Sequence, residues 1–402
     1  MKKLTFTIIL ILSQILLFAQ CDESCLPEGI IFTTQEEIDD FQINYPNCTE
    51  IEGDVSINGD NITSLNGLSV LTSIKGYLNI HENPLLENLS GLDNLTSIGD
   101  WILGHLLIMD NIALTNLSGL ESLEFIGGSL RILSSSNITS LLGLESLITV
   151  GGDLTIEANI SMINLNGLES LKSIGGDLRI GIAFNGWGAP NPILADISAL
   201  ESLTSIGQSL RIGLNDSLTN LVGLNNLTSI GHWLEIIANN SLTNLSGLDN
   251  IDAGSIGILT IQGNELLSTC DVQSICDYLA TPNGTIEIHS NAPGCNSQQE
   301  VEEACDSITL VENISAEHEL AISPNPIKEN AILSLNLSSP GSIDICIYNT
   351  TGICIKTWRY CNVQPGQKDF VLNMSKFRAG IYFCRVKVGN EMITKKIIRI
   401  NE

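Results

Sequence analysis

"GLESLKSIGGDLRI", from Gly167 to Ile180, is nearly repeated three more times in the chain. The other copies are GLESLEFIGGSLRI (119–132), GLESLITVGGDLTI (143–156) and ALESLTSIGQSLRI (199–212). Apolar residues recur at the same places in each copy, and the last three residues alternate in polarity. Fixed-period self-similarity is typical of folds whose units are stable only when stacked on their neighbours. The phrase therefore predicts a solenoid.

The first residue of this phrase provides a ruler along the chain. Successive positions are 24, 28, 24, 24, 32, 24 and 24 residues apart, so two units contain surface insertions. A unit of this length holds three short apolar pieces, as at 165–168, 171–174 and 178–180, and no long helix. We expect one coil per unit, with each Leu-x-Ile strand parallel to the next, about 4.8 Å away. The ruler positions are Gly67, Gly91, Gly119, Gly143, Gly167, Ala199, Gly223 and Gly247.

A small polar residue precedes each Leu-x-Gly-Leu step at the same phase. Such side chains bond to turn backbone, and when stacked they satisfy amides buried at a corner. We predict a structural ladder, with an ordinary exposed turn position as the alternative. The residues are Ser64, Asn88, Asn116, Ser140, Asn164, Asp196, Asn220 and Asn244.

The N-terminus predicts export. Lys2 and Lys3 precede a mostly apolar run at 4–18, and Ala19 ends an acceptable cleavage site, so residues 1–19 read as a signal peptide. Acylation of Cys21 is the alternative, disfavoured because a bulky Gln20 precedes it. No later stretch has the roughly 20 apolar residues of a membrane span.

Charge divides the chain into two parts. Residues 4–320 carry 40 acidic and 5 basic side chains, whereas residues 321–402 carry 5 acidic and 11 basic ones. Nucleic-acid binding needs clustered Lys and Arg to neutralise phosphates, so the acidic part excludes that class of partner.

The eleven cysteines predict disulfides, because the chain is exported. None lies between Cys48 and Cys270, which indicates cysteine-rich caps at both ends of the repeat. We expect a capping helix at 35–46 and, at the other end, two short helices flanking the strand "GTIEIHS". Four cysteines in the second cap allow three pairings. The favoured pairs are Cys25–Cys48 (or Cys21–Cys48), Cys270–Cys295 and Cys276–Cys305.

All three arginines of the acidic part occupy the middle of a Leu-x-Ile strand. We call the row of these outward residues the arginine column. In one interpretation Asp153, Asp177, Glu157 and Glu235 neutralise the arginines; in the other, the column docks a carboxylate, an acidic glycan or an acidic peptide. The column is Ser56, Asn79, Leu107, Arg131, Thr155, Arg179, Arg211, Glu235, Thr260 and Glu287. The candidate binding residues are Arg131, Arg179, Arg211, Asn79, Thr155, Glu235 and, in the insertion 184–192, Trp187.

Catalytic motifs are missing from the sequence. It contains no Gly-x-Ser-x-Gly, no phosphate loop and no Cys/His signature, and the five histidines form no paired metal motif. We expect no cofactor, no metal site and no catalytic residue. A surface binding or adhesion protein is favoured; the alternatives are a β-helix polysaccharide lyase or hydrolase, or a purely structural surface repeat.

The pattern "IEGDVSI" followed by "LNGLSVLTSIKGYLNI" resembles the receptor L domain over about residues 50–290. This resemblance implies a right-handed, leucine-rich-repeat-like parallel β-helix that binds protein ligands. It transfers no contact residue to this chain. The general leucine-rich-repeat phrase also fits Leu234, Ile236, Asn239, Leu242, Leu245 and Leu248.

Residues 321–402 read as β-strands broken by Pro, Asn and Gly turns, which predicts a small antiparallel sandwich. "PNP" (324–326), "IYNTTG" (347–352), "MSKFRAGIY" (374–382) and the basic last strand resemble the type A sorting domain of the type IX secretion system. The resemblance implies passage across the outer membrane by that machinery, usually followed by cleavage. The residues implied in the sorting signal are Pro324, Asn325, Pro326, Gly352, Gly380, Tyr382, Lys395 and Lys396. Four cysteines depart from the family pattern, as buried thiols or local disulfides: Cys346, Cys354, Cys361 and Cys384.

Together these features predict a mainly all-β chain: a solenoid and a small sandwich. The predicted organisation is a signal peptide (1–19), an N-terminal cap (20–50), the solenoid with its cysteine cap (51–305), a linker (306–320) and the sorting domain (321–402). We expect a secreted or outer-surface protein with an unknown protein or glycan ligand.

Overall fold

The computed structural model describes residues 23–100, 104–182, 190–313, 320–337, 340–349, 354–388 and 391–400, without the side chains of 23, 24, 307–313, 391 and 392. The predicted signal peptide, Trp187 and Gly352 lie outside the described residues. The chain divides into two compact units, Met1–Glu302 and Glu303–Glu402.

One long parallel sheet runs along the described part of the first unit. Its strands pair in the order in which they occur along the chain, with one strand from each coil. Leu and Ile point inward and the middle residue points outward, as the period-two alternation predicts. Within the described residues this long sheet has eleven strands: Ile30–Phe32, Val55–Ile57, Leu78–His81, Leu106–Met109, Leu130–Leu133, Leu154–Glu157, Leu178–Ile180, Leu210–Gly213, Trp233–Ile237, Ile258–Gln262 and Ile286–His289.

A second parallel sheet of shorter strands runs beside it. The described part contains eight strands: Glu23–Cys25, Cys48–Ile51, Ser73–Ile74, Ser97–Ile98, Phe125–Ile126, Thr149–Val150, Ser173–Ile174 and Ser205–Ile206. Each coil buries its aliphatic residues between the sheets and the connecting turns; Leu165, Leu168, Leu171, Leu178 and Ile180 are all fully buried. Each such side chain contributes about 1.5–3 kcal/mol of burial free energy, which is realised only when neighbouring coils cover it. The predicted parallel solenoid is confirmed.

The polar residues before Leu-x-Gly-Leu form local turns instead of the predicted ladder. Seven of the eight accept a hydrogen bond from the backbone amide two residues on, as Asn220 does from Val222 at 3.2 Å. These corners lie at the surface, so the side chains close turns and do not connect coils.

The buried ladder lies at a different position, just after the strands of the long sheet. Asn239 shows its geometry: the side-chain Nδ2 donates to Ile212 O of the previous coil at 3.0 Å, and Oδ1 accepts from Asn215 N at 3.2 Å. The side chains thus satisfy backbone groups that the fold has removed from water. The fully buried members are Asn83, Asn111, Ser135, Asn159, Asn191, Asn215, Asn239 and Asn264.

The ruler glycines have two conformations. Five of them adopt φ between 111° and 114°, a region that favours glycine, and each donates its amide hydrogen to an acidic side chain two residues on. Elsewhere the same position lies in a 3₁₀ turn, such as Ser198–Leu200, which accommodates Ala199. Some of the acidic side chains therefore have a structural role. The acceptors are Asp93, Glu121, Glu145, Glu169 and Asp249.

Helices and disulfides close both ends of the repeat. The N-terminal cap contains the helices Gln35–Asp39 and Phe41–Asn44, the first with a capping box on Thr34. Toward the C-terminal end, the helices Gln273–Ala280 and Gln298–Asn313 occur before and after the strand Ile286–His289. The second of these helices extends into the segment predicted as a linker. Disulfides join Cys25 to Cys48 and Cys270 to Cys295, and Cys276 and Cys305 are both disulfide-bonded. The other turns are the 3₁₀ helices Asn66–Leu68, Val222–Leu224 and Ala253–Ser255.

The second unit contains a small antiparallel sandwich. Leu333 and Leu335 from one sheet and Ile345 and Val386 from the other belong to one buried core. One sheet comprises Leu320–Ser323, Asn330–Leu337 and Gly366–Asn373; the other comprises Cys354–Val363, Gly341–Tyr348, Gly380–Val388 and Glu391–Arg399. The sandwich prediction is confirmed.

The cysteines of the second unit take both of the predicted forms. Cys346 and Cys354 form a local disulfide, whereas Cys361 is an exposed thiol and Cys384 a buried one. Burial raises the pKa of Cys384 to about 12. Among the described residues, no helix has the length and apolar character needed to cross a membrane.

Candidate functional site

The outward face of the long sheet presents the arginine column in continuous register. Arg131 pairs with Leu107 and Thr155, and Arg179 pairs with Thr155 and Arg211. Glu235 follows Arg211 on the next coil. The spacing of the repeat therefore brings these candidate residues together, but the three arginines have three different environments.

Arg179 is held by the acids of its own face. Its Nη1 lies 3.2 Å from Asp153 and its Nη2 lies 2.5 Å from Asp177, and the residue is only 9% exposed. Burial would raise the pKa of Asp177, but the hydrogen bond from Ser209 N and the pairing with Arg179 outweigh it and lower that pKa. Arg179 therefore neutralises Asp153 and Asp177 within the fold.

Arg211 is also covered, in a different way. Its guanidinium carbon lies 4.0 Å from the ring centre of Trp233, and its Nε lies 3.5 Å from Glu235. Burial lowers the pKa of Arg211, whereas Glu235 and Asp177 oppose that shift. The cation–π contact and the ion pair compensate the like charge of Arg179 on the neighbouring strand.

Arg131 remains exposed. Among the described residues, its side chain makes no hydrogen bond or ion pair. It borders a shallow depression of about 380 Å³ in the face of the sheet. The lining residues are Arg131, Leu133, Asp153, Thr155, Glu157 and Arg179.

Two further polar groups in this depression lack partners within the described part of the chain. Thr155 is 5% exposed, and its Oγ1 makes no hydrogen bond. Glu157 is half-buried, and its carboxyl group makes neither a hydrogen bond nor an ion pair. Burial raises the pKa of Glu157, although Arg179 and Arg131 oppose that shift. The depression thus presents an exposed guanidinium and a half-buried carboxyl group, with the buried, unpartnered Thr155 hydroxyl in its lining.

The other predicted binding residues lie away from the depression. Asn79 is half-buried two coils before Arg131, with its Oδ1 unpartnered among the described residues, and Glu235 is committed to Arg211. His105, near Arg131, stacks on Tyr77 with ring centres 4.9 Å apart. Burial, followed by the charge of Arg131, lowers the pKa of His105 and favours its neutral form. Sequence spacing predicts Glu157 only as a neutralising group, because spacing does not show that its carboxyl stays unpaired among the described residues.

Several residues that the resemblance implies in the sorting signal lie in the second unit. Asn325 lies between Pro324 and Pro326, and its side chain donates to Lys396 O at 2.9 Å and accepts from Ile398 N at 2.9 Å. Lys395 pairs in register with Cys384 in the neighbouring strand. Gly380 begins that neighbouring strand, and the Tyr382 hydroxyl donates to Arg378 O at 2.9 Å. The "PNP" turn is therefore fastened to the last strand of the chain.

Two family models match parts of the chain. Residues 47–127 match the Receptor L domain, and residues 321–401 match the Secretion system C-terminal sorting domain. Both resemblances are thereby confirmed, the first over the early coils of the solenoid. No curated protein matches the chain. The sorting domain implies secretion or display at the outer surface, and the Receptor L domain suggests a binding role.

Proposed function

We propose that this chain is a surface or secreted binding protein whose ligand contacts the outward face of the long sheet around Arg131. The observation that carries the proposal is that Arg131 makes no ion pair among the described residues, whereas the other two arginines of the column are neutralised within the fold. An exposed guanidinium beside an unpartnered hydroxyl is suited to a ligand that supplies an acceptor. Ligands of both kinds, protein and glycan, are compatible with this face.

In this proposal, the C-terminal unit is the sorting signal that directs the chain across the outer membrane. The type IX secretion machinery would recognise the unit in its folded form, with the "PNP" turn bonded to the last strand through Asn325. We expect the substitution Asn325→Ala to leave the chain in the periplasm of a type IX-competent host. Normal delivery of that variant to the outer surface would contradict this part of the proposal.

The binding role is tested with a glycan and protein array probed by the full chain. Wild-type protein should bind a ligand saturably, and Arg131→Gln should weaken that binding at least tenfold. Lys75→Gln is the matched control, because Lys75 already faces Glu50 and Glu52 at 3.9 and 3.8 Å on the other sheet. An absence of any ligand, or equal binding by the Arg131 variant, would reject the proposal and favour a purely structural repeat.

A polysaccharide lyase or hydrolase is the alternative function, and the arrangement supports it less. Asp153 and Asp177 are both engaged by Arg179, so Glu157 has no free carboxylate partner in the described part of the depression. Release of shortened or unsaturated sugars from polyuronate by the full chain would establish the enzymatic role.

A further inference from the structure

The depression at Arg131 combines three groups of different chemistry that have no hydrogen-bond or ion-pair partner in the described part of the chain. Arg131 offers only donors and Thr155 can donate or accept, whereas Glu157 accepts when ionised and donates when protonated. To satisfy all three, a ligand needs an oxyanion such as a carboxylate for the guanidinium and hydroxyl groups for the other two. This requirement restricts the ligand class more narrowly than the proposed function does.

The sheet register sets the spacing of these groups. Arg131 lies beside Thr155 on the adjacent strand, and Leu133 lies beside Glu157. Glu157 is two residues beyond Thr155 on the same face, a step of about 6.6 Å along the strand. The three groups therefore surround an area comparable to one substituted sugar ring, with the Leu133 side chain along its edge.

Charge distinguishes the possible ligands. A neutral sugar would leave Arg131 without a counter-ion. A peptide with several carboxylates would be repelled by Glu157 and by the surrounding residues 4–320, which carry 40 acidic and 5 basic side chains. A ring with one carboxylate and several hydroxyls avoids both penalties, because a hydroxyl hydrogen can be donated to Glu157 or Thr155.

We infer that the depression binds a hexuronic acid unit of a glycan, with Arg131 on its carboxylate and with Thr155 and Glu157 on its hydroxyls. This inference rests on the proposed binding function and names the ligand class of the same site.

The test is a calorimetric titration of the full chain with methyl β-glucuronide, and with methyl β-glucoside as the uncharged comparison. The glucuronide should bind at one site at least tenfold more tightly than the glucoside. Arg131→Gln should remove that difference, and Thr155→Val and Glu157→Gln should each weaken glucuronide binding severalfold. Thr260→Val is the matched control for Thr155→Val, because Thr260 occupies the same column beyond the depression and should not alter binding.

Other outcomes would overturn the inference. These are equal binding of both glycosides, no binding of the glucuronide, glucuronide binding that Arg131→Gln leaves intact, or displacement of the glucuronide by a glutamate-rich peptide at equal concentration. An array ligand that depends on Arg131 while the glucuronide fails to bind would refute the uronic acid assignment alone. The proposed binding function would then stand.

Discussion

The substitution Arg179→Gln is expected to destabilise the solenoid unit far more than Arg131→Gln, although both arginines occupy the same position of the repeat. Arg179 is 9% exposed and contacts two carboxylates, at 3.2 Å from Asp153 and 2.5 Å from Asp177. Its removal leaves Asp177 buried without its counter-ion. Breaking a buried pair in this way costs about 3–5 kcal/mol.

The lower end of that range applies here, because the Asp153 side chain retains 26% exposure and water partly compensates it. We therefore expect a loss of about 3 kcal/mol in the free energy of unfolding, or a fall in melting temperature of about 6 °C or more. Among the described residues Arg131 makes no ion pair that the substitution would break. Arg131→Gln should therefore change the free energy of unfolding by less than about 0.5 kcal/mol.

Urea unfolding of the full-length variants, followed by circular dichroism, measures both values. The double variant Arg179→Gln/Asp177→Asn should regain a large part of the loss, since it removes the buried charge together with its partner. Equal destabilisation by the two single variants, or a double variant weaker than Arg179→Gln alone, would refute the assignment of Arg179 as an internal counter-ion.

Asn215→Ala should lower the free energy of unfolding by about 2–5 kcal/mol, because it leaves the buried carbonyl groups of Ile180 on the previous coil and Gly213 on its own coil without that donor. Asn220→Ala at a half-buried surface turn should cost under about 1 kcal/mol, and similar losses for the two variants in urea unfolding would contradict the ladder. The lowered pKa of Asp177 means that its ionised form stabilises the fold above the ordinary pKa of 3.8, and that this contribution is lost as the pH falls through the lower folded-state value. The stability difference between wild type and Asp177→Asn, measured from pH 6 to pH 2, should therefore shrink toward the acid end, and a constant difference would refute this prediction. Iodoacetamide at pH 8 should label the exposed Cys361 and spare the buried Cys384, whose pKa is raised to about 12, until the second unit unfolds; equal labelling of the native chain, read by mass spectrometry, would show that Cys384 is accessible.

Much of the architecture could be predicted from the sequence. The 24-residue period and the alternation within Leu-x-Ile determine which residues stack and which face outward, because a one-residue slip would turn every buried aliphatic side chain toward solvent. The register of the arginine column follows directly from this constraint. The cysteine positions predict disulfides in both caps and leave the pairing open, with Cys21–Cys48 as an alternative; the structure shows Cys25–Cys48 and Cys270–Cys295.

Only the tertiary structure decided which polar side chains satisfy buried backbone groups. Two polar columns repeat equally well along the chain, but only the one containing Asn239 lies where backbone groups are buried, while the one containing Asn220 closes turns at the surface. Arg131 and Arg179 are likewise equivalent in the repeat and opposite in environment. Burial and pairing depend on neighbours from adjacent coils, and the repeat pattern of a single coil does not contain that information.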